Sequence, residues 1–306
     1  MLKAYQRTEN VSAPQEVSDI SSGEWVRLEE PSKDEIREVA TALGLDESLI
    51  QDALDPFEAP RFEEQDGNVY IFLRYPFSKE PAGTAPFLIV LTNTALVTIA
   101  LGTPSFLDRF ASGAVPFRTS ERTRLLILCI GEITARYVSA MTTIRRAVNR
   151  RKHRIDEMSE ADIVEFATHE GAVNSFLDAL VPQANVLAKI AAGKTIQVSP
   201  EEHELTEDVI LSTTQLIELG RSILKTMENT REAYTAISTQ QLNRVIRMLT
   251  ALTVLVTIPN VITGFYGMNV ALPGQDSPFA AVLIVLGIVT AIGLIVLLFR
   301  KKGWLF

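Results

Sequence analysis

The sequence predicts an α+β membrane protein, with an N-terminal cytoplasmic α/β domain and a long helical stalk that is continuous with the first of two C-terminal transmembrane helices. Two segments, 248–275 and 279–299, contain no charged residue, and each is near the ~20 apolar residues that span a bilayer as a helix. Of the 29 Lys+Arg and 37 Asp+Glu residues, three basic residues and one acidic residue follow Arg247, which leaves a net charge of about −10 before it. A large acidic soluble part is thus attached to a small hydrophobic part.

Residues 1–118 are predicted to form the α/β domain. Runs of β-branched and aromatic residues between turn residues are typical of strands. Four such runs lie at 25–28, 69–73, 87–91 and 96–100. Asn93-Thr94 suits a tight turn between the last two, and Ser32 with Glu35 three residues later predicts a capping box at the start of a helix. By itself this pattern indicates a regulatory or scaffold domain.

Three long helices are predicted after Ser120, where glycines are few. Their bounds are 120–154, 159–193 and 201–266. The first two form a helical hairpin in a domain of residues 119–198, and the third begins as a stalk of residues 199–247. No stop signal separates the stalk from the first hydrophobic segment, so this helix is predicted to be about 100 Å long at 1.5 Å per residue.

The C-terminal domain, residues 248–306, is predicted to cross the membrane at about 248–266 and 279–299. Two arginines precede the first span and three basic residues follow the second, whereas the loop between the spans has no Lys or Arg. The positive-inside rule therefore places both termini in the cytoplasm of a multi-pass protein in the cell (inner) membrane, in contact with membrane lipid. The alternative is a buried hairpin in a soluble protein.

Two further features agree with a cytoplasmic location for the soluble part. The N-terminal sequence MLKAYQRTEN lacks the apolar core of a secretory signal. Cys129 is the single cysteine, so it forms no internal disulfide, as is usual in a reducing compartment.

A stripe of nine residues runs along one face of the third long helix, because its members recur every three or four positions. They are Glu232, Thr235, Thr239, Leu242, Ile246, Leu249, Thr253, Thr257 and Asn260. The stripe changes from an acid to hydroxyls, then to three aliphatic residues, then to hydroxyls and an amide at membrane depth. Several copies around an axis would give a water-lined tube with an apolar neck that gates by losing its water. A helix-packing face shows the same pattern, and the stripe alone leaves both readings open.

Gly267-Met268-Asn269 lies at the outer end of the first span, beside Tyr266, and precedes a short loop and a second span with a basic tail containing Trp304. This arrangement resembles the CorA family of magnesium/cobalt channels, the 2-TM-GxN metal ion transporters. The resemblance is close over the last quarter of the chain and loose elsewhere. It implies passive Mg²⁺ influx, with Co²⁺ and Ni²⁺ as further ions, through a homopentamer gated by cytoplasmic Mg²⁺. It also implies that the stripe lines the pore and that the tripeptide is the selectivity filter.

The tripeptide has a physical rationale for Mg²⁺, which sheds its water shell reluctantly. A ring of Asn269 side-chain carbonyls, with backbone carbonyls freed near Gly267, would present neutral oxygens to those waters. Gly267 is also expected to permit the backbone conformation that ends the helix. At narrow points the chain departs from better-known family members, because it has Ile246 and Thr257 where methionine is expected and Asn260 where threonine is expected.

The resemblance implies Mg²⁺ both as transported ion and as regulatory ligand, with no organic cofactor. In the family, acidic residues of the stalk and the cytoplasmic domain bind Mg²⁺ between subunits and hold the pore shut. Glu207 and Asp208 lie at the matching depth on this stalk and are candidate ligands, with a solvated helix face as the alternative. Asp276, the one acid between the spans, either attracts cations or keeps the loop solvated.

The sequence predicts no enzyme, because it contains no phosphate-binding glycine loop, no nucleophile constellation and no ATPase motif. His153, His169 and His203 show no metal-ligand spacing with one another or with Cys129. The acidic body disfavours nucleic acid, and the basic cluster at 145–154 is assigned to ion pairs with nearby acids.

Two other functions stay open on the sequence. One is a transporter of Zn²⁺ or another divalent ion of the related ZntB type, whose members typically carry Ile where this chain has Met268. The other is a membrane-anchored, ion-sensing scaffold.

Overall fold

The computed structural model describes residues 1–6, 13–77, 83–152, 155, 158–270, 272, 274 and 278–303. The chain divides into two compact units, Met1–Thr230 and Arg231–Phe306. Three residues singled out in the sequence, His153, Asp276 and Trp304, lie outside the described residues.

A seven-stranded mixed sheet is the centre of the first unit. Its strands are β1 (Leu2–Gln6), β2 (Gln15–Val17), β3 (Trp25–Glu29), β4 (Arg61–Gln65), β5 (Asn68–Phe77), β6 (Gly83–Leu91) and β7 (Leu96–Ala100). Their spatial order is β2-β1-β3-β7-β6-β5-β4. β3 and β7 pair in parallel, and the other neighbours pair antiparallel.

All four predicted strands are confirmed, as β3, β5, β6 and β7, and each contains the predicted run. The predicted turn at Asn93-Thr94 is confirmed as well, because the Thr92 backbone N–H donates to the Ala95 carbonyl at 2.9 Å. Sequence reasoning missed β1, β2 and β4. These strands are short and polar, so their residues do not stand out from a loop.

Helices cover both faces of the sheet. They are α1 (Lys33–Leu43), α2 (Glu47–Asp52), α3 (Phe106–Ala111), α4 (Arg122–Lys152) and α5 (Glu160–Ala191). α1 and α2 share a core with one face of the sheet, and α3, α4 and α5 pack on the other. The predicted Ser32–Glu35 capping box is present at the start of α1. α2 and α3 were not predicted, since each is six residues long.

Helices bury both faces of the sheet, and this explains why the central strands are nearly continuous apolar runs in the sequence. In β3, Val26 and Leu28 face the core shared with α1 and α2. The alternate residue Trp25 faces α3, and its Nε1–H donates to the Thr98 hydroxyl at 3.1 Å. Arg27 lies on that same face and pairs with the buried Glu29 at 2.6 Å, so its charge is compensated as buried ions require.

The first two predicted long helices are confirmed, because α4 and α5 lie within two residues of the predicted bounds. Arg151 near the end of α4 pairs with Asp162 at 2.8 Å and with Glu165 at 3.4 Å at the start of α5. The ion-pair interpretation of the basic cluster is thus confirmed at Arg151. Hydrogen bonds from the Ser159 backbone and hydroxyl, together with the Arg151 charge, hold the pKa of the Asp162 carboxyl below its ordinary value.

The predicted third long helix is confirmed as α6 (Pro200–Tyr266), which contributes residues to both units. Its start is capped, because the Ser199 backbone N–H donates to the Glu202 carboxylate at 2.8 Å and the Glu202 N–H donates to the Ser199 hydroxyl at 3.3 Å. α7 (Ala280–Lys301) follows. The four-part domain division is not tested by these bounds and stays a prediction.

Three helices of the described chain are long and apolar enough to cross a membrane: α4, α6 and α7. They differ in how far their apolar segment is covered by protein. Half of that segment is buried in α4, against 6% in α6 and none in α7. α4 is therefore a core helix of the first unit. The apolar segments of α6 and α7 are left uncovered by protein, as expected of helices that contact lipid.

Candidate functional site

The second unit consists of the C-terminal part of α6 together with α7, and each helix has one shielded face. On α6 the shielded positions between 250 and 263 are Ala251, Val254, Leu255, Ile258, Pro259 and Ile262. On α7 they are Ile284, Ile288, Ala291, Ile292, Ile295, Val296 and Phe299. Spacings of three and four put each set on one side of its helix, as expected of two helices that pack together.

The nine-residue stripe lies on the other side of α6. Every member from Glu232 to Asn260 is exposed. At about 100° per residue, the stripe is centred roughly 150° from the shielded face. All nine predicted residues therefore share one face of α6, and that face is not the shielded one.

The threonine hydroxyls of the stripe point their protons back into the helix. Thr235, Thr239, Thr253 and Thr257 each donate to the backbone carbonyl four residues earlier, at 2.9, 2.8, 2.9 and 2.7 Å. A hydroxyl has one proton and two acceptor lone pairs, so the outward side of each oxygen is left as an acceptor. This polarity suits the protons of water molecules that surround a cation.

The aliphatic segment of the stripe separates its two groups of threonines. Leu242, Ile246 and Leu249 are 60%, 51% and 61% exposed, and they follow one another at spacings of four and three. Large apolar side chains on one exposed face indicate a surface that contacts another protein chain or lipid. Brought together around an axis, they would form a ring about two helical turns long without a polar group.

The tripeptide follows directly on the end of α6. The Gly267 N–H donates to the Thr263 carbonyl at 2.9 Å and the Met268 N–H donates to the Phe265 carbonyl at 3.3 Å, so the helix closes with a tight last turn. Asn269 is exposed beyond it.

The expected role of Gly267 in freeing the backbone conformation was wrong, because its φ is not in the left-handed region. The structure gives another reason for glycine there. A Cβ on Gly267 would lie 3.2 Å from the Thr263 carbonyl oxygen, which is closer than a side chain normally approaches. Close packing of the turn, rather than a positive φ, favours the glycine.

Glu207 and Asp208 lie on α6 in the first unit, both exposed. The Glu207 carboxylate is 3.4 Å from His203 Nε2. Asp208 borders a groove of about 410 Å³ between α4 and α6, with Glu132 on the opposite wall. The described residues contain no group of three or more His, Cys, Asp or Glu side chains that is able to hold a metal ion.

Sequence reasoning missed the shielded face of α6 and the approach of Glu132 to the Asp208 groove. The first had a readable signal, since Ala251, Leu255, Ile258 and Ile262 recur at helical spacing. The second had none, because Glu132 and Asp208 belong to different helices whose contact depends on tertiary packing.

Comparison with known proteins yields one matching family and consistent relatives. The model of the "CorA-like Mg2+ transporter protein" family matches residues 21–301. The "Cobalt/magnesium transport protein CorA" of Methanocaldococcus jannaschii is 24% identical over 291 residues, covering 92% of this chain and 91% of that protein.

Solved structures agree on the fold. The complete structure of the CorA magnesium transporter from Methanocaldococcus jannaschii superposes with a TM-score of 0.88 at 21% identity, over 100% of this chain and 99% of that one. The ZntB cytoplasmic domain from Vibrio parahaemolyticus gives a TM-score of 0.63 at 15% identity, over 78% of this chain and 98% of that one. Identities this low establish the shared fold alone, and the ZntB likeness does not extend to the whole chain.

Proposed function

The chain belongs to the CorA-like Mg²⁺ transporter family, a family of transporters rather than enzymes, and from this membership we propose that it is a channel for passive Mg²⁺ influx, with Co²⁺ and Ni²⁺ as further permeant ions. One observation carries the proposal. The stripe from Glu232 to Asn260 is exposed along its whole length, on the side of α6 opposite the shielded face. Its threonine oxygens are left as acceptors, which suits an ion that passes with its waters attached.

The channel is proposed to be a homopentamer. One chain contributes a single stripe, so enclosing a path requires several copies arranged by rotation. The stripe and the shielded face lie on opposite sides of α6. This placement supports a ring in which α6 lines the axis and α7 faces lipid. The number five comes from the family resemblance.

We place the first span at about 248–266, within α6, and the second at about 279–299, in α7 with its N-cap Phe279. Arginines before the first span and basic residues after the second support cytoplasmic termini and an outer loop. This orientation puts Gly267-Met268-Asn269 at the outer mouth. A ring of Asn269 amide oxygens there would bind the waters of Mg²⁺ without stripping them, and that is the proposed basis of selection.

Closure is proposed to occur at Leu242, Ile246 and Leu249. A ring of aliphatic side chains excludes water when it is narrow, and a hydrated ion cannot pass a dry segment. Because the stalk and the pore lining lie on one helix, α6, movement at the cytoplasmic end reaches this neck directly.

Cytoplasmic Mg²⁺ is the proposed signal for closure, with Glu207 and Asp208 as ligands. Their carboxylates are exposed, and a partial site on one chain is completed by a carboxylate of its neighbour. The first 247 residues carry a net charge of about −10, so bound Mg²⁺ relieves repulsion between copies. The ion biases the gate only as far as it binds the closed state more tightly.

Limited proteolysis tests this regulation. Millimolar Mg²⁺ is expected to protect the full-length protein from cleavage, and Glu207→Gln combined with Asp208→Asn is expected to weaken the protection several-fold. Glu218→Gln, at an exposed position further along α6, is the control. Identical cleavage with Mg²⁺ and with chelator would remove the regulatory role and leave the transport role standing.

Ion flux into liposomes tests the function itself. Purified protein in vesicles is expected to admit Mg²⁺ down its gradient, faster when the vesicle interior is negative, with no ATP present. Zn²⁺ entry without Mg²⁺ entry would instead assign the chain to the ZntB type. Flux of neither ion by correctly inserted protein would favour the ion-sensing scaffold.

A further inference from the structure

A second cavity of the first unit is lined by hydrogen-bond donors that have no partner. β5 runs in the same direction as β7, because both are antiparallel to β6, and β3 is parallel to β7. The three strands therefore end at one edge of the sheet. A cavity of about 400 Å³ lies there, at the carboxyl ends of strands where α/β sheets commonly bind ligands.

Two donors of the cavity lining lack partners. Tyr75, near the end of β5, is 3% exposed, and its hydroxyl has no hydrogen-bond partner. The Arg136 Nε–H, from α4, is also buried without a partner. Buried polar groups nearly always have a hydrogen-bond partner. Two donors without one in the lining of a single cavity therefore point to an acceptor that binds there.

Packing holds both donors in place. The Tyr75 ring stacks edge-on against Phe87 and Phe106, with centroids 6.2 and 6.0 Å apart. The Arg136 guanidinium carbon lies 5.3 Å from the Phe106 ring centroid. A Cβ on Gly102 would be 3.2 Å from the Tyr75 hydroxyl oxygen, so glycine keeps space beside it. The donors are thus preorganised rather than loosely placed.

The charge of the cavity selects an anion. Arg27 on the same face of the sheet is neutralised by Glu29 and Asp108, whereas Arg136 has no ion-pair partner within the described part of the chain. Burial raises the pKa of Tyr75 to about 12, so the phenol keeps its proton at neutral pH and donates. Glu30 also borders the cavity but is exposed, and its charge, together with that of the buried Glu29, adds to the rise in the Tyr75 pKa.

We propose that this cavity binds the oxyanion group of a small metabolite, a phosphate or a carboxylate, through the Tyr75 hydroxyl and the Arg136 guanidinium. A guanidinium suits either group, because its N–H donors match two oxygens in one plane. The hydroxyls of Thr103 and Ser105 border the same cavity. Anion binding here does not depend on the proposed transport function.

Titration of the full-length protein in detergent and Mg²⁺-free buffer tests the site. Inorganic phosphate and acetate are added separately at constant ionic strength, and binding is followed by calorimetry and by the thermal unfolding midpoint. Saturable binding of phosphate alone identifies a phosphate site, and saturable binding of acetate alone identifies a carboxylate site. Saturable binding of neither anion overturns the proposal.

Variants locate the binding. Arg136→Gln and Tyr75→Phe are each expected to weaken it by about 10-fold or more, the loss of one hydrogen bond to a charged group. Arg146→Gln, exposed on the same helix, is expected to bind as the unaltered protein does.

Tyr75→Phe also tests whether the Tyr75 hydroxyl lacks a hydrogen-bond partner when no anion is bound. Without any anion it is expected to leave stability unchanged or raise it, because it removes a buried hydroxyl with no partner. A clear loss of stability in anion-free buffer, or unaltered binding in both Tyr75→Phe and Arg136→Gln, would contradict the site.

Discussion

Leu28 and Leu252 are the same residue type in opposite surroundings. Leu28, in the sheet of the first unit, is 0% exposed, and Leu252, on α6 in the second unit, is 58% exposed. The first unit completes its own core, with apolar residues from both faces of the sheet covered by helices of the same chain. The second unit leaves most of its apolar surface open. The chain thus completes the core of the first unit and leaves the apolar surface of the second for lipid and, in the proposed channel, for further copies of the chain.

The difference teaches where function is to be sought. In the first unit, the Arg27 guanidinium pairs with Glu29 and the Trp25 indole donates to Thr98, so stability explains these buried groups, whereas the Tyr75 hydroxyl and the Arg136 Nε–H are left for the proposed anion. In the second unit, the exposed stripe has no such explanation within one chain. Residues that the fold leaves unexplained are the ones proposed to carry ions.

The largest expected effect concerns Asn269, which is exposed beyond the end of α6. Asn269→Ala removes the only side-chain amide oxygen in the tripeptide and is expected to reduce Mg²⁺ uptake to near background while the oligomer stays assembled. Asn243→Ala, also exposed on α6 but outside the stripe, is the matched control. Uptake into liposomes and size-exclusion chromatography measure the two properties. Mg²⁺ uptake near that of the unaltered protein would contradict the selectivity role of Asn269.

Leu28→Ala tests how much a buried leucine contributes to the stability of the first unit. Loss of a fully buried leucine leaves a cavity and costs about 2–5 kcal/mol, which corresponds to a fall of roughly 5–15 °C in the thermal unfolding midpoint. Leu252→Ala at the exposed position opens no cavity in the chain and is expected to shift the midpoint far less. Equal shifts would show that Leu252 is as enclosed as Leu28 in the assembled protein.

Leu249→Asn compares two leucines of similar exposure that face different ways. Leu249 belongs to the stripe and Leu252 does not, although they are 61% and 58% exposed. Leu249→Asn or Leu249→Ser is expected to wet the neck and raise basal current several-fold under high cytoplasmic Mg²⁺. Leu252→Asn is the control and is expected to leave the closed-state current low. Should both sites give the same current, the stripe is not the pore lining.

The smallest expected effect is a pH dependence in the first unit. The pKa of Asp162 is lowered by hydrogen bonds from Ser159 and by Arg151, so its ionised form favours folding. That contribution is present above the ordinary Asp pKa of about 3.9 and is lost as pH falls through the lower folded value. Asp162→Asn is expected to flatten the fall of the unfolding midpoint below about pH 4 by a few degrees at most. Asp178→Asn, exposed on α5, is the control, and superimposable acid profiles would count against this coupling.

Sequence pattern alone determined the long helices and the central strands. Hydrophobic periodicity and the Ser32 capping box are local signals, and the observed bounds follow them. The stripe was likewise readable, since spacings of three and four fix one face of a helix whatever surrounds it.

Tertiary structure alone decided the rest. The polar edge strands became visible only through their pairing, and the meeting of Tyr75 with Arg136 depends on the packing of α4 against β5. Local spacing along a chain specifies which residues share a face. Which distant groups approach one another depends on how the elements pack, because those contacts are set by burial of whole faces rather than by any short stretch of sequence.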